Sequence, residues 1–462
     1  MDQYTETPLF FKDFEVYKDP TRETKGNRIV YTIHGKIQGK RPVECPCCRY
    51  REFVSKGPRK IILKHLCDQR LHINVEVEYT RWECKVCRKC LRTAIPFKAR
   101  HLRITEFCKN RIKHLLVYGG TTTRIAAETG TNRNIVKKID KRRLQNNAGD
   151  MKPIHPSPFI SVDEFLLHKN HQYATVVIDY CTGESIFVTQ GKTYGQMVEF
   201  FRFVGDKFMK QVVAVSMDMN ASYAKAFKEL YPHIKIVYDG FHIVKNYNDM
   251  VLTEIRRSEQ RRLIDAMENA SFENNKALYK ELQDEYRMFK GSRYLILSNK
   301  KTLELKDAAS CEHNRILFEK YEQKGLKIPI GKYYLPARSI ERLDEVLSSN
   351  EKLQTSYYLG EMLKASLHCR DQKVFDADFK KWLFIAKKTG YEELLKFCNL
   401  IEEHWQGIRN RVQYNMSNGP LEGTNCLIKN IRRRSYGIRD DEYFFLKIWE
   451  ATRKHPKSRF VG

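Results

Sequence analysis

VVAVSMDMNASYAKAFKELYPHIKIVYDGFHIV, residues 212–244, decides the fold, because it reads as strand, helix, strand with an acid closing each strand. The run VVAVSM is continuous, apolar and β-branched, as a strand buried on both faces of a sheet should be. KIVYD repeats that pattern after a short amphipathic helix. Asp218 and Asp239 therefore fall at the C-terminal ends of neighbouring strands, the edge of an open α/β sheet where ligands and catalytic groups gather.

Upstream, FISVDEFLLH reads as a strand with Asp163 in its middle, and YATVVIDY and ESIFVTQ are two more, separated by Cys181-Thr182-Gly183. Three strands in succession suggest an antiparallel meander, and residues 194–210 form an amphipathic helix that leads into the opening stretch. A meander followed by alternating helix and strand is the ribonuclease-H-like order, in which strands one and four lie side by side. Asp163 and Asp218 are then predicted neighbours, with Asp179, which reads as a strand-end acid, the alternative to Asp163, and Asp239 the competing second acid. An unpaired carboxylate inside an apolar strand is costly. Two carboxylates so close repel unless cations sit between them, and hard oxygen ligands suit Mg2+.

The 462-residue chain carries a formal charge of +27 and a pI near 9.5. With 33 basic and 16 acidic residues, the first 150 positions hold +17 of that excess. Counterion release favours a polyanionic partner for such a chain, nucleic acid before an anionic membrane surface. No apolar run approaches the roughly 20 residues that span a bilayer, and MDQYTETPLFF is too polar for a signal peptide. The expectation is a cytoplasmic protein without membrane partners. Its 13 cysteines are then free thiols or metal ligands, and seven of them precede residue 91. Cys45 with Cys48, and Cys84 with Cys87, make two C-x2-C knuckles of the kind that present thiolates to a tetrahedral Zn2+. Cys47, Cys67 and Cys90 are spare thiols, His65 and His72 are substitute ligands, and a Cys84/Cys90 pairing competes.

Residues 104–143 change to helical periodicity. Ile125 and Ala126, a turn at Gly130, then Ile135, Val136 and Ile139 fit a helix-turn-helix whose second helix carries Asn132, Arg133, Asn134, Lys137 and Lys138 outward, types that reach base edges and phosphates. NNAGDMKPIHPSP reads as a linker. From about 250 to 414 strand signals give way to Glu- and Lys-rich helical spacing. Gly419 and Pro420 then open a helix on which Glu422, Asn425 and Lys429 share a face, followed by Arg432, Arg433 and Arg434.

At these residues the chain resembles a DDE transposase of the ISL-three type, from bacterial insertion sequences. CPCC and CKVC match its zinc ribbon, 104–143 its helix-turn-helix, and SVDE its first-acid strand. MDMNASY and DGFHIVKNYN match the second-acid region, and NGPLEGTNCLIKNIRRRSYGIRD, the most specific string, the final-acid helix. The family's first knuckle usually has Gly where this chain has Arg49. The resemblance implies a metal-binding triad of Asp163, Asp218 and Glu422, with Asp239 and His242 as a D-x-x-H signature beside it. It implies two Mg2+ ions, replaceable by Mn2+, that activate a water or 3′-hydroxyl at a phosphodiester.

The expected architecture is a multidomain α/β chain: an N-terminal segment over 1–100 with its ribbon at about 41–95, a helix-turn-helix over 101–147, and a linker over 148–158. A ribonuclease-H-like mixed sheet over 159–249 follows, interrupted by an all-helical insertion over 250–414 and completed over 415–462. The expected partners are terminal inverted repeats and target DNA, bound by Arg133, Asn134, Lys137, Lys138, Asn425, Lys429 and Arg432–Arg434. A homodimer in a bacterial, nucleoid-associated setting is expected. The rivals are a DNA-binding regulator that has lost its chemistry and a structure-selective nuclease.

Overall fold

In the computed structural model the described residues are 11, 13–26, 28–38, 41–67, 71–148, 157–325, 338–416, 419–434 and 439–453. Most of the expected linker, positions 417–418 and 435–438 of the C-terminal string, and the side chain of Cys67 lie outside them. Contacts divide the chain into two units, Met1–Met151 with Leu427–Arg453, and Lys152–Cys426 with Lys454–Gly462.

The first unit begins with β1 (Phe14–Lys25), β2 (Arg28–Ile37), β3 (Phe53–Cys67), β4 (Leu71–Cys84) and β5 (Cys90–Arg92), in the order β1-β2-β4-β3 with β5 paired to β4. β2 and β4 are parallel and the other pairs antiparallel. Leu63, Val75, Val77 and Ile95 form the core on one face. The β1–β2 hairpin was not expected from the sequence: β1 is exposed along most of its length, so it lacks the alternation that marks a half-buried strand.

Next come α1 (Glu106–Val117), α2 (Thr122–Glu128) and α3 (Arg133–Asn147). Thr105, Thr121 and Asn132 cap them, each side chain accepting an otherwise unpaired N–H of the first turn. Ile112, Leu116, Ile125, Val136 and Ile139 pack between the three helices. Gly130 turns the chain between α2 and α3 at φ 57°, where a side chain would be strained.

The second unit holds β6 (Phe159–His168), β7 (Gln172–Asp179), β8 (Ser185–Gln190), α4 (Tyr194–Val204), α5 (Asp206–Met209), β9 (Ala214–Met217), α6 (Ala221–Leu230), β10 (Lys235–Tyr238) and α7 (Gly240–Tyr247). Its sheet runs β10-β9-β6-β7-β8. β6, β7 and β8 are an antiparallel meander, and β9 and β10 join β6 in parallel. All four residues of β9 are buried, which is why its sequence does not alternate. The single helix expected over 194–210 breaks at Gly205, φ 79°.

After a π-helical turn at Asn248–Leu252 the chain is helical: α8 (Thr253–Phe272), α9 (Lys276–Phe289), α10 (Arg293–Leu297), α11 (Lys300–Glu322), α12 (Ser339–Ser348), α13 (Glu351–Leu367), α14 (Gln372–Lys388), α15 (Glu392–Glu403) and α16 (Trp405–Tyr414). Among the ties between this block and the sheet, two stand out. Tyr247 of α7 enters it, stacking edge-on against Trp382 and Phe397 while its hydroxyl donates to the Ser356 carbonyl. α16 returns to β10, where Asn410 donates to the Ile236 carbonyl at 2.8 Å. Gly407 allows the approach, since a Cβ there would lie 2.4 Å from the Tyr238 ring.

α17 (Gly419–Arg434) follows, and the division between units falls within it. α18 (Asp441–Thr452) belongs to the first unit, where Tyr443 and Leu446 pack on Leu144 of α3. Its docking centres on Asp140, fully buried, which accepts from the Tyr443 hydroxyl at 2.6 Å and pairs with Arg143 and Lys447. Burial opposes ionisation of Asp140, but Lys447, Tyr443 and Arg143 hold its carboxyl below the usual range.

Candidate active site and cysteine cluster

Strand register sets the three sheet acids in one row. Ser161 of β6 lies opposite Ser216 of β9, so two residues further along Asp163 comes level with Asp218. Met217 of β9 lies opposite Tyr238 of β10, so the next pair is Asp218 with Asp239. Because β9 is the strand beside β6, Asp218 is the acid next to Asp163 and Asp239 the one beyond.

Each carboxylate has a distinct setting. Asp163 Oδ1 accepts from the Glu164 N–H at 2.8 Å, and Oδ2 accepts from the Asn425 side-chain amide of α17 at 2.6 Å. Burial nonetheless pushes the Asp163 carboxyl above its ordinary value. Asp218 Oδ1 accepts from the Met219 N–H at 2.6 Å, and its Oδ2 lies 3.2 Å from His242 Nδ1. Burial works against Asp218, but the His242 contact outweighs it and holds the carboxyl below its usual range. Asp239 caps α7, accepting the Phe241 N–H at 3.2 Å, while its Oδ2 is buried without a hydrogen-bond partner. Burial raises this carboxyl too. His242 thus faces three acids. Burial alone would lower its pKa, but Asp218, Asp239 and Asp163 together lift it above the ordinary imidazole value.

α17 docks on this edge through consecutive residues: Thr424 donates to the Gly183 carbonyl in the β7–β8 turn at 3.3 Å, and Asn425 reaches Asp163. Glu422 stands one turn earlier on the same face, its side chain exposed. Sequence reasoning assigned Asn425 to DNA; its bond to Asp163 joins residues 262 positions apart and has no local signal. It also missed Arg411 of α16, whose guanidinium lies against Gly240, so that a Cβ there would come within 2.5 Å of Nη1. The one hint was glycine directly after Asp239.

In the first unit the four cysteines of the two knuckles converge. Cys45, Cys48, Cys84 and Cys87 offer sulfurs all within 4.8 Å of one another, with 3.5 Å between Cys45 and Cys87 and between Cys48 and Cys84. Those separations match a tetrahedron of Zn–S bonds of about 2.3 Å, so the group fits a structural Zn2+. It is the one group among the described residues that brings three or more potential ligands so close; the sheet-edge acids are spread more widely. Two of the alternatives are otherwise engaged. Cys90 contacts the Arg88 carbonyl, and His65 is buried against Thr105. The knuckles have the same backbone: Arg49 N–H donates to the Cys45 carbonyl and Arg88 N–H to the Cys84 carbonyl, with φ 58° at Arg49 and 55° at Arg88. A left-handed residue is needed there, which explains a family preference for glycine at the first.

On α3, Arg133, Asn134 and Lys138 are exposed. Lys137 is half-buried and paired with Asp440 at 3.4 Å, so α18 takes part of the face expected for DNA. Beside that face, α1 and α3 enclose a pocket lined by Arg100, Lys109, Lys113, Lys138, Arg142 and Arg143. On α17, Arg432 lies 5.5 Å from the Phe444 ring, and Lys429, Arg433 and Arg434 are exposed. Among the described residues no helix is long and apolar enough to cross a membrane.

A family model described as a transposase, of the DDE ISL3 kind, matches residues 160–448. The chain is 26% identical over 379 residues to the transposase for insertion sequence element IS1001 of Bordetella parapertussis, covering 82% of this chain and 80% of that one. It is 21% identical over 287 residues to the transposase for insertion sequence element IS1557 of Mycobacterium tuberculosis, covering 61% and 57%.

Proposed function

The chain belongs to the ISL-three family of transposases, and we propose that it binds the terminal inverted repeats of a mobile element, cleaves a phosphodiester at each end and joins the exposed 3′-hydroxyl to target DNA. The observation that carries this reading is the row of Asp163, Asp218 and Asp239 along the ends of adjacent strands, with α17 docked on its first member. The strand order β10-β9-β6-β7-β8 supports a ribonuclease-H-like catalytic domain.

Asp163, Asp218 and Glu422 would hold two Mg2+ ions, with Mn2+ a substitute. Bound there, the ions would activate a water or 3′-hydroxyl and neutralise charge on the leaving oxygen. In donor type the set suits Mg2+, all hard oxygens, two of them on carboxylates whose orientation is fixed by backbone N–H groups, although the acids are spread more widely than the cysteine sulfurs. Asn425 orients Asp163. His242 Nδ1 lies 3.2 Å from Asp218, and a proton taken up there would bring positive charge to the cluster of acids and lower the repulsion a phosphodiester would meet. Asp239 fixes the start of α7 and thereby His242. Arg133, Asn134 and Lys138 would read or grip the repeat, with Lys137 committed to Asp440. Lys429 and Arg432–Arg434 of α17 would meet backbone phosphates. The need to hold two element ends together supports a homodimer, working in the cytoplasm on nucleoid DNA.

The test is incubation of full-length protein with DNA carrying the element's end, in Mg2+. The expected products are a cleaved end and a joined strand. Asp163→Asn and Glu422→Gln should each lower cleavage by about a thousandfold or more while leaving DNA binding intact. Cleavage by either variant at the wild-type rate would sink the triad, and absence of any cleavage would sink the enzyme.

A further inference from the structure

Beside the acid row, the end of α13, α14 and α16 enclose a cavity of about 260 Å³. His368, Arg370, Arg411 and Asn415 give it a polar wall, Phe375 and Met416 an apolar floor, and no carboxylate lines it among the described residues. It shares Arg411 with the site, since that guanidinium rests on Gly240 between Asp239 and His242. Arg411 Nη1 donates to the Leu367 carbonyl only at 3.4 Å, and its Nε is buried without a hydrogen-bond partner. Asp239 attracts the guanidinium through space, yet Asp239 Oδ2 is also buried and unpartnered, so the nearby acid leaves Nε unmet. A half-buried guanidinium whose Nε–H is buried and unused calls for an acceptor, and planar N–H forks suit the oxygens of a phosphate. Arg370 adds a second fork, His368 an imidazole and Asn415 a neutral amide on the same wall.

We propose that this cavity receives a phosphate of the DNA backbone next to the bond being cleaved, held by Arg411 and Arg370. The assignment rests on the transposase reading for its ligand, and on the cavity alone for its chemistry. Gly240 is then part of the device: it lets Arg411 lie against the turn that carries Asp239 and His242, so an occupied cavity is coupled to the catalytic edge.

Two measurements on the full-length protein decide it. Equilibrium dialysis with inorganic phosphate at low ionic strength should find one bound phosphate fewer in Arg370→Gln and in Arg411→Lys than in wild type. Equal stoichiometry in all three overturns the proposal. Arg370 is exposed, so its variant stands if that at Arg411 fails to fold. In the second, end DNA carries single uncharged methylphosphonate linkages at successive positions around the cleavage point. One position should weaken binding or cleavage by wild type about tenfold or more and have no further effect in Arg370→Gln. Gly240→Ala, which displaces the guanidinium without removing its charge, should weaken interference at the same position. Phosphate lost from the variants with no such position assigns the cavity to a free anion and overturns the DNA assignment. Wild type that binds but does not cut end DNA refutes the transposase reading, and the methylphosphonate pattern in binding still decides the cavity.

Discussion

Asp163 sits inside an apolar strand, where it accepts one hydrogen bond from its neighbour's backbone and one from a residue 262 positions away, and the two only partly offset the upward push of burial on its carboxyl. The acids themselves were legible in the sequence because each interrupts or ends an apolar run, and the register of buried strands then fixes which acids are neighbours. Asn425 on Asp163 and Arg411 on Gly240 were not, since both contacts join segments brought together only by tertiary packing. His65 offers a test at this scale. It is buried against Thr105 and between the Phe11 and Phe107 rings, and burial pushes its pKa down to about 4. Its ordinary value is about 6.5, so below that pH the unfolded chain takes up a proton that the folded one refuses until about 4. Stability of the first unit should therefore fall as pH drops through this window. Denaturant titrations should show that slope in wild type, and a shallower one in His65→Phe.

Among the elements, the paired knuckles carry the clearest expectation. Four sulfurs held within 4.8 Å would repel one another as thiolates, and a bound Zn2+ would offset that repulsion. A strong chelator should release one Zn2+ per chain and lower the unfolding temperature of the first unit, and Cys84→Ser should do the same without chelator; mass spectrometry under native conditions reads the metal. The C-x2-C spacing made this site legible, and the twin left-handed residues Arg49 and Arg88 were hidden because arginine does not advertise that conformation. The docking of α18 on α3 was likewise hidden, since Asp140 reads in sequence as a surface acid on a basic helix. Asp140→Ala would leave Arg143 and Lys447 without their buried counter-charge and should cost about 3–5 kcal/mol in the first unit, measured by chemical denaturation. A loss below about 1 kcal/mol would mean that the network contributes little.

At the scale of the whole molecule, a formal charge of +27 makes salt the main lever on DNA affinity. With about six to ten phosphates neutralised, affinity should drop roughly 10³- to 10⁵-fold between about 50 and 200 mM salt. Filter binding across that range checks it, and a flat response would remove charge as the basis of binding. The hydrogen bond between Asn425 and Asp163 has a further consequence, in time rather than space. A ribosome adding roughly 5–20 residues per second needs about 13–50 s to travel from one partner to the other. Throughout that interval the emerging polypeptide has its first acid but neither Asn425 nor Glu422, and α3 still awaits the helix that neutralises Asp140. A chain cut short anywhere in the helical block is therefore deficient in both units at once: Asp163 is left without Asn425, and Asp140 without Lys447.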